Sequence, residues 1–183
     1  KIFRFIVTVL LCVAVLVGAV FAAVSMPKRL CSGYNFTVNY AGEYPAVCDS
    51  DICHLIQQNN IPTIGVAIKD VKLEQIADLL RQNPYIKSVD EVRFSSTKLK
   101  VSVTLKNILL HVYAQYFVDD EGNMLPFSMS VKENVMVANG NISDKFTKGS
   151  NIIEKKSNLN RVFKIAQCLS DDEFYQAQFR QLY

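Results

Sequence analysis

The chain has 183 residues with 20 Lys and Arg against 17 Asp and Glu, a formal net charge of +3, and half of it is hydrophobic. Setting aside Lys1 and Arg4 beside the apolar start leaves 18 cations against 17 anions, so the rest is nearly neutral. There is no basic stripe interleaved with aromatics, which excludes an electrostatic footprint for nucleic acid.

From Phe5 to Met26 the sequence "FIVTVLLCVAVLVGAVFAAVSM" runs 22 residues without a charge. As a helix it is about 33 Å long, enough to cross a hydrocarbon core of about 30 Å, and longer than the ~7–15-residue core of a secretory signal. A retained anchor over 1–26 is expected, with Phe5, Leu10, Leu16 and Phe21 among its apolar side chains. The flanking cations Lys1 and Arg4 balance Lys28 and Arg29, so the positive-inside count does not orient it. The first residue is Lys, and an N-terminal tail missing from the sequence is expected.

Residues 27–34 read as a linker. "NFTVNYAG" alternates Phe36, Val38 and Tyr40 with polar or small residues and predicts a strand ending at Gly42. Ser50 or Asp49 caps an expected short helix carrying Ile52, Leu55 and Ile56 on one face, ended by Asn59, Asn60 and Pro62. Asp70 is the expected cap of a second helix with Leu73, Ile76, Ala77 and Leu80 along its buried stripe, closed before Pro84. "KLKVSVTLK" then alternates without an error: Leu99, Val101, Val103 and Leu105 on one face, Lys98, Lys100, Ser102, Thr104 and Lys106 on the other. Val92 and Phe94 belong to its hairpin partner. Residues 35–112 thus read as a βααββ unit, two helices over a three-stranded sheet.

A second, β-rich unit is expected over 113–183. "LLHVYAQYFV" reads as one strand, and "DDEGN" as a turn in which Asp120 and Gly122 set a hairpin, with Pro126 limiting the return arm to an edge. "NVMVANGNI" is a further short strand. Leu159, Val162, Phe163, Ala166 and Leu169 form a helical stripe, and a capping box of Ser170 and Glu173 predicts a helix onward through Tyr183. By this point the unit has few strands for a closed core, and a sequence that stops early is expected. The overall class is α+β: one membrane helix, a βααββ domain, then a β domain ending in helices.

The chemistry-bearing residues are sparse. Glycine-rich phosphate loops and nucleophile elbows are missing, and Cys53 and His54, adjacent on a helix, point about 100° apart. Cys48, Cys53 and His54 lack the second pair that a zinc site uses, and the acids of 119–121 lack calcium-loop spacing. Among Cys31, Cys48, Cys53 and Cys168 three full pairings are open; Cys31–Cys48 is the preferred single bridge if the compartment is oxidising, with free, buried thiols the alternative. No catalytic residue, cofactor or metal is expected.

Order and spacing carry a resemblance. "LLRQNPYIKSVDEVRFSSTKLKVSV", "YFVDDEGNMLPFS", "VMVANGNI" and "FYQAQFRQLY" resemble, in this order, segments of the FtsQ/DivIB cell-division family, the last in versions from Bacteroides-like bacteria. Asp119 or Asp120, Gly122 and Pro126 occupy the family's hairpin pattern. Leu105-Lys106-Asn107-Ile108 keeps the family's basic residue there and lacks its acid and proline. The resemblance implies a POTRA (polypeptide-transport-associated) domain over 35–112 and a β domain that recruits FtsB- and FtsL-like single-span proteins for septal peptidoglycan synthesis. It implies a periplasmic bulk on the inner membrane and no enzymatic activity. The competing expectation is a POTRA-containing polypeptide-binding protein of export or outer-membrane assembly.

Overall fold

The computed structural model describes residues 29–41, 45–113, 115–129, 131 and 135–183, with Val13, Val15 and Val17. The anchor residues Phe5, Leu10, Leu16 and Phe21 lie outside the described residues. The three valines are helical and exposed. Among the described residues no helix is long and apolar enough to cross a membrane.

The first sheet forms from β1 (Gly33–Asn39), β2 (Ile86–Ser95) and β3 (Lys98–Leu105), in the order β1-β3-β2. β3 is central, parallel to β1 and antiparallel to β2. A parallel pair needs a long crossover, supplied by α1 (Asp49–Gln58) and α2 (Leu73–Arg81). The alternation of β3 appears directly in its burial: Leu99, Val101 and Val103 are at 0% exposure and Leu105 at 4%. Ile52 and Ile56 of α1 and Ile76 and Leu80 of α2 cover this face, each fully buried aliphatic contributing about 1.5–3 kcal/mol. β1 stops at Asn39, leaving Tyr40 exposed; Gly42 lies outside the described residues.

The helix starts differ from expectation. Cys48, not Ser50 or Asp49, is the N-cap of α1, because the Asp51 carboxylate reaches back to accept the Cys48 N–H at 2.8 Å. Asp70 falls in a 3-10 turn (Ile68–Asp70), and α2 begins after Lys72 without a side-chain cap. All four described cysteines are free. The expected Cys31–Cys48 bridge is not formed: Cys31 is buried with its thiol against the Gly33 carbonyl, while Cys48 is exposed at the head of α1.

The second sheet contains β4 (Ile108–Val112), β5 (Tyr116–Asp119), β6 (Met124–Pro126), β7 (Met136–Ala138) and β8 (Gln181–Leu182), in the order β6-β5-β4-β7-β8. β4, β5 and β6 are antiparallel neighbours, whereas β7 lies parallel to β4 and β8 parallel to β7. "LLHVYAQYFV" is therefore two strands and not one, β4 ending at Val112 and β5 pairing back antiparallel from Tyr116, with Gln115 N–H donating to Val112 O at 3.0 Å. β4 belongs to the second sheet, so the break expected at 112/113 falls inside a hairpin; the first sheet ends at Leu105. Both faces of the second sheet are covered. α3 (Asn158–Ser170) lays Leu159, Phe163 and Ala166 on Leu110, Val112, Tyr116 and Val118. On the other face Ile108, Phe117 and Leu125 join the first unit's core beside Tyr85, Ile86 and Leu105.

The tail also departs from expectation. α4 (Glu173–Gln178) is capped by Asp172, whose carboxylate accepts the Phe174 N–H at 2.8 Å. Ser170 instead closes α3, its hydroxyl donating to Gln167 O. After Gln178 the chain extends and β8 pairs with β7, so the helix does not run to Tyr183.

Candidate protein-docking surface

The hairpin of β5 and β6 is built on one buried carboxylate. Asp119 is 1% exposed. Its Oδ1 accepts the backbone N–H groups of Asn123 at 2.7 Å and Glu121 at 3.1 Å. Its Oδ2 accepts Asn123 Nδ2 and Lys106 Nζ, both at 3.0 Å. The turn needs a left-handed corner, and Gly122 supplies it at φ +78°. A Cβ there would lie 2.7 Å from Ile153 Cγ1, so any other residue must also displace the Ile153 side chain.

Of the residues that sequence reasoning placed in this hairpin, Asp120 is exposed and contributes through its backbone. Its N–H donates to Asn107 O at 2.9 Å, and its carbonyl accepts Gln167 Nε2 at 3.2 Å. Pro126 ends β6, and its carbonyl accepts the Tyr85 hydroxyl. Sequence reasoning left the pattern's acid open between Asp119 and Asp120 and took Asp120 for the hairpin; the inward place belongs to Asp119. A signal for it was present: an acid at the end of a strand, followed at two and four residues by N–H groups of a glycine turn, fits an Asx-type cap.

These contacts lock the hairpin to the first unit. Lys106 N–H donates to Tyr85 O at 2.9 Å while its ammonium reaches Asp119. Burial raises the Tyr85 phenol to about 12, which keeps it a neutral donor to Pro126. At the rim Lys87 and Glu121 pair at 2.7 Å; the hydrogen bond to Lys87 lowers the Glu121 carboxyl, and the one to Glu121 raises Lys87. Tyr116 is raised to about 12 by burial and then by Asp144, and its hydroxyl donates to the Asp144 carbonyl at 2.7 Å.

His111 of β4 packs against Phe117 and Phe127, with ring centroids 4.6 and 5.6 Å away. Its Nε2 is buried with no hydrogen-bond partner among the described residues, and desolvation lowers its pKa from 6.5. His54 sits exposed on α1, so the two imidazoles lie in different units. Among the described residues no three His, Cys, Asp or Glu side chains are grouped as a metal site.

The two edges of the second sheet differ. β6 is covered by residues 150–152: Met124 N–H donates to Ser150 O, and Ile152 N–H to Gly122 O, each at 2.9 Å. β8 is joined to β7 on one side, where Val137 and Asn139 N–H groups donate to the carbonyls of Arg180 and Leu182 at 2.9 Å. That register turns the N–H and C=O of Gln181 to the other side, where no described residue pairs with them. The chain leading into and out of β8 carries exposed aromatics, Phe174, Tyr175, Phe179 and Tyr183, the last with its ring by Gly140 on the β7 side. Phe174 meets Tyr175 at 5.6 Å and Tyr175 meets Phe179 at 6.1 Å.

The geometry is that of two joined units, the second ending in a strand whose outer edge no described residue pairs. Comparison with known families assigns both: residues 29–104 match the POTRA-like domain, and residues 108–183 match the FtsQ/DivIB C-terminal related domain. The two matches together support an FtsQ/DivIB-like family. That pair of domains points to a division-related POTRA protein. The FtsQ/DivIB match begins at the first residue of β4, and the POTRA-like match stops one residue before the end of β3. A search of the curated proteins finds no match.

Proposed function

We propose that this FtsQ/DivIB-like chain is a single-pass scaffold of the division machinery. Phe5–Met26 anchors it in the inner membrane and the bulk lies in the periplasm at the division site. The second sheet recruits FtsB- and FtsL-like single-span proteins and links them to septal peptidoglycan synthesis. The observation that carries this reading is the outer edge of β8, which no described residue pairs. An unpaired strand edge captures an extended segment through main-chain hydrogen bonds, and exposed aromatics on the same stretch of chain offer apolar contact. The seam at Lys106 and Asp119 joins this sheet to the POTRA-like unit.

In-cell crosslinking of the full-length protein, followed by mass spectrometry of what co-purifies, tests the reading. Recovery of two small single-span coiled-coil proteins with septal synthesis enzymes is expected. Recovery of barrel proteins or export substrates would move the function to polypeptide transport.

A further inference from the structure

The end of the first unit where β1 begins carries features that its core does not use. Residues 29–31 run beside residues 65–68: Gly65 N–H donates to Cys31 O at 2.8 Å, and Cys31 N–H to Val66 O and Ile68 N–H to Arg29 O at 2.9 Å. Ser32 N–H donates to Thr97 O at 2.8 Å, which adds the turn between β2 and β3 to the same end. Two aliphatic side chains are exposed there, Leu30 at 50% and Ile64 at 56%. Ile64 occupies the tip of a tight turn, Thr63–Val66, closed by Val66 N–H to Thr63 O and cornered by Gly65 at φ +78°. Turn tips ordinarily carry polar residues; here the polar Thr63 is buried beneath the tip, bonded to the Tyr34 hydroxyl. The same end is basic. Arg29, Lys69, Lys72 and Lys98 are exposed, and the exposed acids beside them are Asp70 and, in the first turn of α2, Glu74.

The chain preceding this end indicates what faces it. Arg29 follows Met26 by three residues, so even fully extended chain carries it only about 11 Å from the end of the uncharged run. We propose that this end of the POTRA-like unit rests on the bilayer surface, Leu30 and Ile64 entering the headgroup region and Arg29, Lys69, Lys72 and Lys98 facing lipid phosphates. The inference rests on Phe5–Met26 being a membrane span. Aliphatic tips among cations combine apolar burial with attraction to anionic lipid, the two forces that hold peripheral segments at an interface. β3 runs from this end to Lys106, so a domain seated this way holds the seam on the side away from the membrane.

The chain contains no tryptophan, so Ile64→Trp makes a single fluorescent reporter in the full chain. In vesicles of phosphatidylethanolamine and phosphatidylglycerol brominated near the headgroup, its emission is expected to move to shorter wavelength and fall at least about twofold against unbrominated lipid. Leu30→Trp should behave alike, whereas Tyr113→Trp, on the exposed turn between β4 and β5, should not be quenched. Reversing Lys69 and Lys72 to Glu, or raising the salt, should weaken the quenching at Ile64. Carbonate-resistant insertion with both reporters unquenched would overturn this inference alone. Extraction by carbonate would overturn the anchor, and this inference with it.

Discussion

Replacing Asp119 by alanine is expected to destabilise the second sheet by about 3 kcal/mol. The substitution leaves the N–H groups of Glu121 and Asn123 without their acceptor and strips Lys106 of its counter-ion. Removing one partner of a buried ion pair costs about 3–5 kcal/mol. The Lys106 side chain is 22% exposed and can turn to water, which places the cost at the lower end. For a chain of this size that corresponds to a fall of about 6–12 °C in the unfolding midpoint. Asp119→Asn keeps an oxygen for the two N–H groups and loses only the charge, so it should fall between alanine and wild type. Asp120→Ala, one residue along and exposed, should stay within about 0.5 kcal/mol. Thermal unfolding of the full chain in detergent micelles, followed by circular dichroism, reads all three. An Asp119→Ala variant indistinguishable from Asp120→Ala would refute the assignment of Asp119 as the centre of the hairpin.

Gly122→Val forces a branched side chain into a left-handed corner at about 1–2 kcal/mol; its Cβ also collides with Ile153. Its unfolding midpoint should fall further than that of Ile153→Ala, and the double variant should recover part of the loss. His111 is held below its ordinary 6.5 by desolvation in the folded chain, so the unfolded chain binds the proton more readily. Stability is therefore complete above 6.5 and declines as pH falls through the lower folded value. His111→Phe should flatten that decline in midpoints measured from neutral to mildly acidic pH, and an unchanged pH profile would remove His111 as its source. Leu16→Arg places a charge near the bilayer centre at about 2.5–3.5 kcal/mol. The variant should leave the membrane fraction and fail to support division.

Where one face alone is buried, the sequence declares the element. β3 was legible for this reason, since Lys98, Lys100, Ser102 and Thr104 mark its wet face against four buried neighbours. α2 was legible through the spacing of Ile76, Ala77 and Leu80. β4 was legible only as part of one longer strand, because α3 covers one face and the first unit the other, so Ile108, Leu109 and Leu110 are buried in succession and period two vanishes. The tail carries a helical pattern that only α4 uses; pairing with β7 then draws Gln181 and Leu182 into a strand, a choice made by tertiary contact. In the hairpin, turn chemistry was visible in "DDEGN", but which acid turns inward depends on strand parity and on Lys106 arriving from β3, a contact across the seam.

The central claim is that β8 is the edge that receives a partner strand. A photo-crosslinking residue at Leu182 of the full-length protein in dividing cells tests it directly, with Gln181→Pro as the paired variant, since proline removes the outward N–H while the bonds from β7 to Arg180 and Leu182 remain. The expected result is a crosslink to a small single-span coiled-coil protein that disappears with Gln181→Pro while the unfolding midpoint holds. Crosslinks to barrel proteins or export substrates, or a coiled-coil crosslink indifferent to the proline, would contradict it.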